Sequence, residues 1–150
     1  MQRYTKFPQT LFRIQAKLPV SLRDYDTQMA KNRTSFDLKL VNQKVMPMPA
    51  DSPFHTPNGM SLRPCSPKMI DILKNFNGNE VRVYRLQEAT ECPEGLCVFH
   101  EHSDHFSLQV ARPMSLDEFN DKLTQYLKSI PSVTKDQFLE AYYDEDDQDN

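Results

Sequence analysis

Two prolines bracket the stretch Pro57-Asn58-Gly59-Met60-Ser61-Leu62-Arg63-Pro64, and the only glycine of the chain's first half lies inside it. Pro57 presets its own backbone, Asn58 and Gly59 tolerate the positive φ of a tight turn, and Pro64 keeps the run from continuing. The pattern predicts a fixed turn leading into a short extended piece, on which Ser61 and Arg63 share one face. A neutral hydroxyl beside a charged, forked guanidinium suits a phosphate or pyrophosphate. The plainer alternative is a structural turn whose arginine is solvated or paired with a carboxylate.

The rest of the chain bears on that choice. Its 150 residues fit one domain with a real core, and a mean hydropathy of −0.69 is at the polar end of globular proteins. No apolar run is long enough to cross a bilayer, and Met1-Gln2-Arg3-Tyr4 leads into no apolar signal core. The chain reads as soluble and unprocessed, with no membrane partner. Residues 1–75 carry 12 Lys/Arg against 5 Asp/Glu, whereas residues 76–150 carry 6 against 16. About half of the acidic excess lies in residues 144–150, which have nothing to bury and read as a disordered tail after a single domain over residues 1–143. A basic first half fits an anionic small molecule. Nucleic acid ranks lower, because the basic residues are scattered and form no stripe. Cys65, Cys92 and Cys97 give an odd count without zinc spacing, so neither a disulfide framework nor a structural metal is expected, and a reducing compartment is. Pairing of Cys92 with Cys97 is the minor alternative.

Leu11-Phe12-Arg13-Ile14 is a β-prone run in which Leu11 and Arg13 share one face and Phe12 and Ile14 the other. A cation there is either an edge-strand charge or an anion anchor lining a cleft. A short helix or an irregular segment is expected around residues 21–31, with Ser21 as the candidate N-cap, a strand at 36–41, and a proline-rich loop at 45–58 that either covers a ligand or simply connects. Ser66-Pro67 opens a helix through residue 76, and residues 81–86 alternate as a strand. Residues 96–100 form a buried strand, and Glu101-His102-Ser103-Asp104 reads as a solvent-facing hairpin loop. The chain returns at 105–110 with His105, Ser107 and Gln109 on one polar face, which faces either solvent or a cleft. Ser115 and Glu118 form a capping box for a helix through residue 130, and a short final helix starts near residue 134. Strands and helices interleave without a regular βαβ rhythm, so the class is α+β with an antiparallel or mixed sheet.

His100-Glu101-His102-Ser103-Asp104-His105 is the densest local cluster of chemistry. Its spacing is not that of a helical two-histidine metal site, and on a hairpin tip alternating histidines point apart, so no metal is assigned. His105 is the economical acid/base candidate, since an imidazole exchanges protons near neutrality. Glycines at 59, 78 and 95 cannot form a glycine-rich phosphate loop. Arg13, the Ser61/Arg63 pair, and His105 with Ser107 and Gln109 remain.

These blocks, Leu11-Phe12-Arg13, Pro57-Asn58-Gly59-Met60-Ser61-Leu62-Arg63-Pro64 and His105-Phe106-Ser107-Leu108-Gln109 with Arg112-Pro113-Met114 after it, resemble in order and spacing the Tse2 toxin family from about residue 7 to residue 130. That family is ADP-ribosyltransferase-like, with a type-six-secretion member and fungal relatives. The resemblance implies a compact fold of two packed sheets with flanking helices and an NAD cleft between them. It implies Arg13 as phosphate anchor and Ser61 at the nicotinamide ribose; beside these, the reading of the residues adds Asn58 and Arg63 as cofactor contacts, Arg63 on the pyrophosphate with Arg13, and His105, Ser107 and Gln109 as the catalytic set, His105 and Gln109 orienting the reacting face. The resemblance further implies a secreted effector acting in a cytoplasm, an unknown macromolecular acceptor of ADP-ribose, and a neutralising partner protein. The departure from the family is the catalytic glutamate, because that late strand carries His105, Ser107 and Gln109, and Glu101 and Asp104 fall in the loop.

Three readings are open. The leading one is an NAD-dependent toxin cleaving the nicotinamide–ribose bond, by transfer or hydrolysis. The others are an inactive dinucleotide-cleft module acting through a protein partner, and a metal-dependent hydrolase using the histidine hairpin.

Overall fold

The period-two pattern of Phe106, Leu108 and Val110 places a strand at residues 105–110, and the larger of two sheets is built around it. The structure is a computed structural model that describes residues 1–148. In chain order the elements are β1 (Gln2–Tyr4), β2 (Leu11–Gln15), α1 (Tyr25–Ala30), β3 (Met60–Leu62), α2 (Pro67–Lys74), β4 (Arg82–Leu86), β5 (Leu96–His102), β6 (His105–Val110), α3 (Leu116–Lys128), β7 (Ser132–Thr134) and α4 (Lys135–Gln148). One sheet has the order β1-β5-β6-β3 and the other β2-β4-β7, and every ladder is antiparallel. This is the α+β arrangement of two sheets with flanking helices.

Met60, Leu62, Val98, Phe106, Leu108 and Val110 bury one face of the larger sheet together with Phe119, Leu123 and Leu127 of α3. Each such side chain contributes about 1.5–3 kcal/mol. Ser115 caps α3 by accepting from the Glu118 N–H at 3.1 Å, but the Glu118 carboxylate turns to Arg112 at 3.2 Å, so the capping box is half made. A second cluster joins Met69, Ile70 and Leu73 of α2 to Val81 and Val83, with Phe12, Ile14 and Phe138 packed against it. Leu11 therefore enters the main core while Phe12 and Ile14 enter the other, as their alternation predicts. Arg13, on the face of Leu11, is half-buried.

The sheets touch through one rung. Phe12 N donates to Arg63 O at 2.7 Å, and Arg63 N donates to Phe12 O at 3.1 Å. An antiparallel ladder would continue at Ile14 and Ser61, but the bridge is isolated and the strands splay. The splayed strands and α2 enclose a cleft of about 230 Å³, lined by residues including Phe12, Arg13, Ser61, Arg63, Met69 and Phe76.

Several local expectations are corrected. The short helix within 21–31 is the six-residue α1, but it starts at Tyr25 and is capped by Asp24 rather than Ser21. Residues 36–41 form no strand, and Leu38 makes an isolated parallel bridge to Asp24. Neither Asn58 nor Gly59 adopts positive φ; Gly59 is needed for space, because a Cβ there would run into the Leu108 carbonyl. Helix α4 runs through Gln148, past the start of the expected tail at 144; Tyr142 packs on the second cluster, and the Lys74 ammonium lies 5.0 Å from the Tyr143 ring centre. Residues 149–150 of that tail lie outside the described residues. Among the described residues there is no disulfide, and burial pushes the Cys92 thiol up to about 12.

Candidate functional site

Where β2 and β3 part, a side chain replaces the missing rung. Arg13 Nη1 donates to the Ser61 carbonyl at 3.2 Å, and its Nε donates to Gln15 Oε1 at 3.0 Å. Burial pushes the guanidinium down to about 10, against the pull of Asp37 and with the help of Arg23. It therefore still carries its charge at neutral pH, at the lip of the cleft. Of the three β3 residues, only Ser61 is exposed.

Ser61 is opposite Ser107 in the β3–β6 register, so its side chain shares the face of β6 that carries His105. Ser61 Oγ lies 3.0 Å from His105 Nε2, and His105 Nδ1 is hydrogen-bonded to Glu101 Oε2. A carboxylate only accepts, so Nδ1 carries the hydrogen; in the neutral ring this leaves Nε2 as the acceptor of the Ser61 hydroxyl. The Glu101 side chain is 2% exposed. The expectation of a solvent-facing loop carboxylate is thus overturned. Only Ser103 and Asp104 form the turn, while Glu101 belongs to β5. The cause is a β-bulge between His100 and His102, where His100 pairs with Phe106 but His102 with His105. The extra residue brings Glu101 and His102 to the side of His105. Strict alternation in the sequence hides it.

Ser107 and Gln109 do not join them. Each is 1% exposed, Gln109 Nε2 donates to Ser107 Oγ at 2.8 Å, and Asn58 Nδ2 donates to Gln109 Oε1 at 3.2 Å and to Met46 O at 3.0 Å. The face expected to meet solvent or a cleft is instead sealed at these positions by the 45–58 loop, which also sets Phe54 edge-on to His102 at 5.2 Å. Asn58, expected to touch the cofactor, ties this loop down.

Arg63 lines the cleft but is already paired. Its Nη1 donates to Asp104 Oδ1 at 2.6 Å, and the Ser66 hydroxyl, which caps α2, donates to Asp104 Oδ2 at 2.6 Å. Burial alone would raise the Asp104 carboxyl, but the Ser66 hydrogen bond and the Arg63 charge outweigh it and hold it below its usual range. A carboxyl lowered on folding stabilises above its unfolded value, about 3.9, and loses that contribution as pH falls through the folded one. Asp104→Asn should therefore lower Tm at pH 7, at a cost of about 1–3 kcal/mol for the unpaired arginine, and the loss should shrink below about pH 4. Thermal melts across that range check it; a pH-independent difference would contradict the clamp.

Donor atoms of Glu101, His102 and His105 lie within 4.8 Å of one another, which the picture of histidines pointing apart does not anticipate. His100 does point apart, stacked on Phe106 at 4.4 Å. Glu101 and His105 already satisfy each other, so a metal would have to displace their bond. We expect no stoichiometric metal in the purified chain and little change in activity on replacing His100 and His102 together by Asn. Elemental analysis finding one zinc or nickel per chain, lost in that variant, would refute this.

The splayed sheets, the basic residue at their fork and the hydroxyl–imidazole pair lie within one segment that a family model matches. That model, the Tse2 ADP-ribosyltransferase toxin, covers residues 9–138. The chain belongs to this family. The Tse2 match includes Arg13, Ser61, Glu101 and His105, and it ends within α4. No curated protein and no solved structure matches the chain. Among the described residues of this Tse2-family chain, no helix is long and apolar enough to cross a membrane.

Proposed function

We propose that this Tse2-family toxin cleaves the nicotinamide–ribose bond of NAD and passes on the ADP-ribosyl group. The observation that carries the reading is the convergence of Arg13, Ser61, His105 and Glu101 at the fork between the sheets. Arg13 supplies the fixed positive charge for the pyrophosphate, reinforced by low local polarity. Ser61 and His105 face the nicotinamide ribose. As the glycosidic bond breaks, positive charge develops on that ribose, and a buried carboxylate behind the imidazole opposes it without having to reorganise. Glu101 thus takes the charge role that the sequence leaves empty. The cleft's volume of about 230 Å³ is below the about 300–1,000 Å³ of common ligand pockets, which fits one half of a dinucleotide with the other half outside. The Asp104 pair ties Arg63 to the scaffold, so a single arginine serves the phosphates. The toxin-family match supports delivery as a secreted effector and a macromolecular acceptor; a cytoplasmic site of action and a neutralising partner protein complete the reading.

Arg13→Ala removes that anchor. A charge-assisted contact of about 1.5–3 kcal/mol corresponds to a loss of NAD affinity of about ten- to hundredfold. Calorimetry with NAD on the two folded chains measures it. Equal affinities, or outright unfolding of the variant, would sink the anchor role.

A further inference from the structure

The hydroxyl of Ser61 is better equipped than positioning requires. Among the described residues it is the only serine hydroxyl bonded to a histidine nitrogen, at 3.0 Å, and that histidine is held through its other nitrogen by a carboxylate out of solvent. Serine, histidine and acid in this order form the arrangement by which a weak nucleophile loses its proton as it attacks. Ser61 is on the exposed point of a strand buried on either side, at the cleft, with Arg13 on its own carbonyl.

We propose that Ser61 is a covalent acceptor of ADP-ribose, so that the chain modifies itself at this residue. The proposal rests on the reading that the cleft holds NAD. In the step, a bond forms between Ser61 Oγ and C1′ of the nicotinamide ribose. The C1′–nitrogen bond breaks, and its electron pair leaves with nicotinamide, which becomes neutral. The Ser61 proton goes to His105 Nε2, and the Glu101 carboxylate stabilises the resulting imidazolium through Nδ1–H. The products are an O-glycosidic ADP-ribosyl-serine, free nicotinamide and one proton on the relay, so no oxidant or reductant is needed. Ser61 competes well with water or an outside acceptor. Its oxygen is fixed on a strand at the cleft, which raises its effective concentration.

The test is to incubate the full chain with NAD, quench at intervals, and track intact mass and released nicotinamide in the same samples. The expected result is a gain of one ADP-ribose per chain, mapped to Ser61 by peptide fragmentation. Ser61→Ala, with an unchanged melt, should show no adduct, and His105→Ala and Glu101→Gln should form it at least tenfold more slowly. Nicotinamide release with no adduct, or with an adduct only on lysines, overturns the proposal and leaves NAD cleavage standing. Neither nicotinamide nor adduct overturns both.

Discussion

His105→Ala is expected to slow nicotinamide release from NAD by about a hundredfold or more, the usual range for losing a positioned proton acceptor. Glu101→Gln should come close to it. An amide can donate to Nδ1 as well as accept from it, so the tautomer that leaves Nε2 free to accept from Ser61 is no longer enforced, and the buried negative charge is gone. Gln109→Ala belongs to a different class. Gln109 touches Ser107 and Asn58 and not the relay, so its loss should appear in the melting temperature first. The ordering differs from the expectation that puts Gln109 on the catalytic strand and Glu101 in a solvent-facing loop. Rates at matched folding for the three variants decide it. Should Glu101→Gln retain nearly full rate while His105→Ala does not, the carboxylate only positions the ring.

Gly59→Ala should be the most damaging change to stability. The added methyl would lie within the contact distance of the Leu108 carbonyl, 3.1 Å from its carbon and 3.0 Å from Gln109 Cγ. The carbonyl atoms are backbone of a central buried strand, so they cannot swing aside as a flexible side chain would. Overpacking of this kind costs about 1–3 kcal/mol and occasionally more, and here the upper end applies. For a chain of this size that is a fall in Tm of about 10 °C. The same displacement moves β3 away from β6 and so parts Ser61 from His105, whose register it sets. NAD cleavage should therefore fall together with stability. An unchanged Tm would show that β3 can shift freely and that the register is not what holds the site.

The helix starts at Ser66-Pro67 and Ser115, and the strand at 105–110, are written locally. Caps and periodicity act within a few residues, and the structure agrees there. Arg13 is legible for a related reason, as a cation in an otherwise apolar alternation. Features that depend on distant partners are concealed. Gln2, Arg3 and Tyr4 have no apolar period and become β1 only as the edge partner of β5. Leu38 and Leu40 alternate like a strand but find no neighbour to complete one. The site's largest omission has the same origin. A bulge at Glu101 is visible only once two strands are aligned, and it turns an apparent loop carboxylate into a buried partner of His105. Alternation puts Ser107 and Gln109 on the right face, but that face is covered by the 45–58 loop, and no local pattern announces it.

Whether the fork between the sheets breaks the nicotinamide–ribose bond is measured most directly by the release of nicotinamide. The purified full chain is incubated with NAD labelled in the nicotinamide ring, with Arg13→Ala and His105→Ala alongside. Release by the wild-type chain and strong loss in both variants are the expected result. NAD that binds at the fork and remains intact, or release that both variants preserve, would contradict cleavage at the fork.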